Sequence, residues 1–171
     1  MRIFLIGFMG SGKTTLGRKL AQFLQYDFVD VDKQIETKIG MSISHYFNLH
    51  GEEAFRKLER EVLQTSNYSQ HAVIATGGGA PCYADNLEWM HHAGKVVYLS
   101  LPPRALVNRL KNSKTERPLL KDLEDEELLD FISQKLAERE VFYSRAKYIV
   151  SGIDLTAEKL ARYLEESEKN D

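Results

Sequence analysis

Eight residues near the amino terminus, Gly7-Phe8-Met9-Gly10-Ser11-Gly12-Lys13-Thr14, fit the spacing G-x-x-x-x-G-K-[ST], and their flanks leave few folds open. Before them, Arg2 to Ile6 is a short apolar run closed by Gly7. After them, Lys13 to Gln25 sets Leu16, Leu20, Phe23 and Leu24 at helical spacing. A strand, a tight loop and a helix are therefore predicted in that order. Gly7, Gly10 and Gly12 let the backbone turn tightly and bring N–H groups toward phosphate oxygens with no Cβ in the way, and the helix starting near Lys13 adds its positive dipole end. In such a loop the lysine, Lys13, reaches the β- and γ-phosphates of a nucleotide, and the Thr14 hydroxyl can ligate Mg²⁺. Gly10, Ser11, Gly12, Lys13, Thr14 and Thr15 are the candidate nucleotide-binding residues. The loop alone does not separate a kinase from a GTPase, a motor ATPase or a regulatory binding module.

Short apolar runs recur at Asp27 to Asp30, Ala72 to Ala75, Lys95 to Ser100 and Tyr148 to Val150. Helical candidates lie between or after them: Glu52 to Ser66, Tyr83 to His92, Arg104 to Asn112, Glu126 to Arg145 and Thr156 to Glu168. That alternation predicts an α/β fold of three layers, a parallel five-stranded sheet flanked by helices. The chain of 171 residues is 43% hydrophobic, enough for one core, so residues 1–171 are expected to form a single domain. Lys and Arg number 23 against 25 Asp and Glu, so nucleic acid or an anionic membrane is not the expected partner, and an anionic ligand must be met locally. The single cysteine, Cys82, cannot form an internal disulfide, and no signal-peptide cleavage pattern follows the first apolar run. A cytoplasmic location is expected.

Phe28-Val29-Asp30-Val31-Asp32 ends the second strand candidate with two carboxylates spaced by two, which on an extended strand share one face. At the carboxyl end of a parallel sheet that face opens into the ligand crevice. Near Mg-nucleotide, one carboxylate can hold the metal through water while the other accepts a proton from a hydroxyl. Asp32 as a helix N-cap is the plainer alternative. Between Asn112 and Glu127 the periodicity lapses around Arg117-Pro118-Leu119-Leu120, read either as a solvated loop or as a lid near residues 112–124.

Two further stretches, Gly51-Glu52-Glu53-Ala54-Phe55-Arg56-Lys57-Leu58-Glu59 and Ala75-Thr76-Gly77-Gly78-Gly79, complete a pattern that resembles shikimate kinase. That family joins its phosphate loop to F-x-D-x-D, G-E-x-x-F-R-x-x-E, a three-glycine turn, R-P-L-L and a late arginine preceding a tyrosine, here Arg139 and Tyr143. The resemblance runs from Arg2 to about Tyr148 and implies an ATP-dependent kinase that phosphorylates the 3-hydroxyl of shikimate, a step of aromatic amino acid biosynthesis, with Mg²⁺ as cofactor. It implies Asp32 as the base on the ring hydroxyls, Asp30 nearer the metal beside Thr14, and Arg56 and Arg139 on the substrate carboxylate. Glu59, one turn after Arg56, is read as orienting that guanidinium from an exposed helix. Gly77, Gly78 and Gly79 would lie against the substrate, and Arg117 would close over the phosphates. Arg109 resembles the adenine-side arginine, or it is a solvated helix-face residue. A substrate-binding helical region is expected at about 32–60, and the chain is expected to be a monomer. Val141 stands where the family often has proline, and Ser151-Gly152-Ile153-Asp154 is hard to match to an adenine loop. The rival readings are a kinase of another small hydroxy acid such as gluconate and a non-catalytic nucleotide-binding module. No N-K-x-D guanine signature is present to favour a GTPase-like switch.

Overall fold

A computed structural model describes residues 1–113 and 124–169. The five strands are β1 (Arg2–Ile6), β2 (Asp27–Asp30), β3 (Ala72–Ala75), β4 (Lys95–Ser100) and β5 (Tyr148–Ser151), paired in the order β2-β3-β1-β4-β5 and parallel throughout. The helices are α1 (Lys13–Leu24), α2 (Val31–Ile39), α3 (Ile43–Thr65), α4 (Asn86–Ala93), α5 (Pro103–Lys111), α6 (Asp125–Tyr143) and α7 (Ala157–Lys169), with a 3₁₀ turn at Ala80–Cys82. The predicted α/β class and parallel five-stranded sheet are both present.

Side-chain alternation divides the core into two layers. Phe4, Ile6, Ala72, Ile74, Val96 and Tyr98 face one side of the sheet, where α2 to α6 cover them. Ile3, Leu5, Val73, Val97 and Leu99 face the other, packed against Leu20 of α1 and Leu160 and Leu164 of α7. Strands buried on both faces read as unbroken apolar runs, which is why they stand out in the sequence.

Two segments differ from expectation. The second strand stops at Asp30, and the chain turns at once into α2, so Asp32 lies in the first turn of a helix and not on an extended strand. The N-cap is Asp30, whose carboxylate accepts from Lys33 N at 3.3 Å. The second departure is α3, which begins nine residues before the predicted Glu52 and bends at Gly51 (φ 85°, ψ 175°). No helix among the described residues is long and apolar enough to cross a membrane.

Only Val31 and Ile35 of the short helix α2 are buried, and both are fully so. Ile35→Ala is therefore expected to lower stability by about 2–5 kcal/mol and to loosen the helix that carries Asp32. Urea denaturation checks the first effect, and hydrogen exchange of the α2 amides checks the second.

Candidate active site

Register aligns the carboxyl ends of the strands: Leu5 and Asp30 both pair with Ala75. The phosphate loop leaves β1 there, the acidic pair leaves β2, and the three glycines leave β3. At the nucleotide end, Gly12 caps α1 in the left-handed region (φ 95°, ψ 15°), a conformation that a Cβ would strain. Lys13 Nζ donates to Gly7 O at 2.7 Å and Phe8 O at 2.9 Å, which folds the ammonium onto the loop that would hold phosphate. Thr14 Oγ1 donates to Asp30 Oδ2 at 3.0 Å, so the predicted metal-side hydroxyl and carboxylate are together. Arg109 does not point freely into solvent. Its Nη1 donates to Ser11 O at 3.1 Å and its Nη2 to Gly152 O at 3.0 Å. It thereby borders a cleft of about 650 Å³ between α1 and the start of α7, lined also by Thr15, Leu155 and Thr156.

At the acceptor end, four charged side chains close on the three glycines. A Cβ on Gly79 would collide with the Arg56 guanidinium, and one on Gly78 would stand 3.1 Å from Arg139 Nη1. On Gly77 it would meet Glu59 Oε2 at 2.5 Å and Asp32 Oδ1 at 3.1 Å. The predicted substrate residues Asp32, Arg56, Gly77, Gly78, Gly79 and Arg139 are thus neighbours. Arg56 Nη1 donates to Glu59 Oε1 at 2.7 Å, and the Arg139 guanidinium lies 5.3 Å from the Phe8 ring centroid.

Burial raises the Asp32 carboxyl above the ordinary carboxylate range; the Asp30 charge adds to this, and Lys13 opposes it. Burial likewise raises Glu59, against the pull of Arg56. Glu59 is not on an exposed face, as the sequence reading had it: its side chain is 1% exposed. A signal was available, because Glu59 falls at helical spacing between the buried Phe55 and Val62. The Tyr143 hydroxyl, which donates to Gly78 O at 2.5 Å, had no sequence signal beyond its place after Arg139. Val141 is 68% exposed, consistent with its standing clear of the arginine. Arg117 and most of the 112–124 segment lie outside the described residues.

Comparison with known proteins gives one answer. The family model for shikimate kinase matches residues 9–168. A shikimate kinase of Bacteroides thetaiotaomicron is 45% identical over 155 residues, 91% of this chain and 89% of its own length. One of Parabacteroides distasonis is 42% identical over 170 residues, 99% of this chain and 94% of its own. Among solved structures, a shikimate kinase from Bacteroides thetaiotaomicron superposes with a TM-score of 0.92 at 42% identity, covering 99% of this chain and 98% of that one. A shikimate kinase from Acinetobacter baumannii in complex with shikimate superposes with a TM-score of 0.83 at 37% identity, covering 99% and 93%. With a phosphate loop at one end of the crevice, paired arginines at the other, and these matches spanning nearly its whole length, the chain belongs to the shikimate kinase family of ATP-dependent phosphotransferases.

Proposed function

We propose that this crevice transfers the γ-phosphoryl group of ATP to the 3-hydroxyl of shikimate, with the substrate carboxylate held between Arg56 and Arg139. The reaction is ATP plus shikimate to ADP plus shikimate 3-phosphate. One observation carries the assignment of the acceptor end: both guanidiniums rest on the same glycine turn, Arg56 against Gly79 and Arg139 against Gly78. Two planar forks facing one strip of backbone suit a carboxylate, which accepts paired N–H groups, better than a neutral polyol.

Asp32 stands between the two ends, beside Gly77 and within the field of Lys13. In this reading it accepts the proton of the attacking hydroxyl. Lys13 leaves the loop carbonyls to follow the β- and γ-phosphates, and Arg117 brings a second cation to the transferring group. Phosphoryl transfer asks for in-line placement and charge stabilisation rather than covalent help, so these roles suffice. Thr14 and Asp30 present a hydroxyl and a carboxylate in contact, a hard-oxygen pair that fits Mg²⁺, which takes few protein ligands beside phosphate oxygens. When bound there, the ion would offset phosphate charge. The cleft beside Arg109 receives the adenine. We further propose that residues 1–171 act as one domain, with acceptor recognition at about 32–60 and a lid at about 112–124. The protein works as a cytoplasmic monomer, and its lone cysteine suits a reducing compartment.

The clamp is tested by titrating shikimate and its carboxamide into Arg56→Ala and Arg139→Ala. Each substitution should weaken acid binding by about 1.5–3 kcal/mol per charge-assisted hydrogen bond removed, while affecting the amide little. Equal affinity of wild type and both variants for the acid would reject the clamp. Arg117→Ala should lower kcat by about 10²–10³-fold with shikimate affinity retained; an unchanged kcat would remove it from the site.

The raised carboxyl of Asp32 has a signed consequence. Because its folded-state pKa lies above 3.8, the ionised form is disfavoured by folding, and the native state binds more protons than the unfolded chain between the two values. Stability from this group therefore falls as pH rises through that window. Asp32→Asn should be inactive yet more stable than wild type at pH 7, and the gain should shrink as pH is lowered toward 3.8. Thermal melts across pH measure this, and a gain independent of pH would contradict it.

A further inference from the structure

Tyr143 is the last residue of α6 and is fully buried, with its hydroxyl hydrogen committed to Gly78 O. A buried phenol needs such an acceptor, but here the acceptor is the glycine that also supports the Arg139 guanidinium. Arg139 and Tyr143 are four residues apart on one helix, so their side chains leave the same face. The helix therefore touches one glycine twice, through a cation and through a hydrogen bond to its carbonyl.

The surroundings hold this arrangement from the sheet side. The Tyr98 ring on β4 lies 4.9 Å from that of Tyr143, the planes inclined at 34°, and its hydroxyl donates to Glu140 Oε2 at 2.8 Å. Glu140 directly follows Arg139 on α6, and Phe8 of the phosphate loop packs against the arginine's guanidinium. Burial raises the Tyr143 phenol well above its ordinary value, with the Arg139 charge opposing. The hydroxyl remains a donor throughout the neutral range.

We propose that Tyr143 is a positioning residue for acceptor binding: its hydrogen bond to Gly78 O sets the height of α6 over the three-glycine turn, and with it the place of the Arg139 guanidinium. The inference rests on the reading of Arg139 as a carboxylate ligand. Tyr143 touches no substrate in this scheme. It fixes the spacing between the arginine and the backbone strip, and a guanidinium displaced by a fraction of an ångström meets a carboxylate with one bond where it had two.

Tyr143→Phe keeps the ring against Tyr98 and deletes only the hydroxyl, which donates to Gly78 O and is itself bonded by the Arg139 side chain. We expect the shikimate KM to rise on the order of tenfold, with the ATP KM and kcat within about twofold, and the preference for shikimate over its carboxamide to fall. Shikimate titration without nucleotide should read the same loss on the folded protein. Tyr98→Phe, which removes a hydroxyl from the same ring pair, should change the shikimate KM by less than about threefold. Arg139→Lys should raise the shikimate KM, and adding Tyr143→Phe to it should contribute less than about threefold more, because both act through one contact.

An unmoved shikimate KM in Tyr143→Phe, alongside a raised one in Arg139→Lys, overturns the role of Tyr143 and leaves the clamp standing. So does an equal rise in both substrates' KM values. If Arg139→Lys itself leaves shikimate binding unmoved, the clamp falls and this inference falls with it.

Discussion

Three consecutive glycines after β3 leave a strip of bare backbone, and the acceptor end of the crevice is built by what can approach it. Arg56 and Glu59 come within a distance that a Cβ would forbid, and Arg139 and Asp32 within one that it would crowd. The glycines therefore act as a floor whose height is set by the main chain alone. Over that floor the charges balance, two cations against two anions, which is how a carboxylate as enclosed as Glu59 is tolerated. A charge taken out of water costs several kcal/mol unless a partner and hydrogen bonds compensate it, and Arg56 supplies both at 2.7 Å. The pairing also acts on the arginine: one edge of its fork is held by Glu59, so its orientation is settled before a ligand arrives and less freedom is lost on binding.

The distance between the two ends of the crevice is a property of the sheet. Parallel strands in register end at one level, and β1, β2 and β3 deliver the phosphate loop, the acidic pair and the glycine turn side by side. Asp30 and Asp32 divide this meeting point between them. Asp30 is the last strand residue and reaches Thr14, while Asp32, inside the first turn of α2, is carried over to Gly77. A pair spaced by two on a strand would have pointed the same way; the helix start sends one carboxylate toward Thr14 and the other toward the glycine turn.

The sheet was largely legible in the sequence, because strands covered on both faces cannot hide their apolar runs; β1, β3 and β4 have the predicted limits, β5 extends one residue further, to Ser151, and β2 stops short of the acidic pair's second member. What escaped depended on which way a helix faces. Nothing in Asp30-Val31-Asp32 distinguishes strand alternation from a capped helix with two buried residues, and α2 became visible only where Val31 and Ile35 met the core. Glu59 read as half of a surface ion pair because spacing identifies neighbours along a helix and not the side turned inward. Arg109 could be read either as a solvated residue or as an adenine-side one, because its partners, Ser11 O and Gly152 O, are main-chain carbonyls, and a carbonyl leaves no mark in a sequence.

That arginine also ties the two ends of the molecule together. Ser11 belongs to the loop after β1 and Gly152 to the segment after β5, so a single side chain joins an early stretch of the chain to a late one. During synthesis the phosphate loop emerges with the opening β-α unit, yet the wall opposite it waits until β5 and the start of α7 have left the ribosome. A nascent chain can thus display the glycine-rich motif in full and still lack the finished cleft beside it. Only a chain read through to α7 has both walls of the cleft beside Arg109.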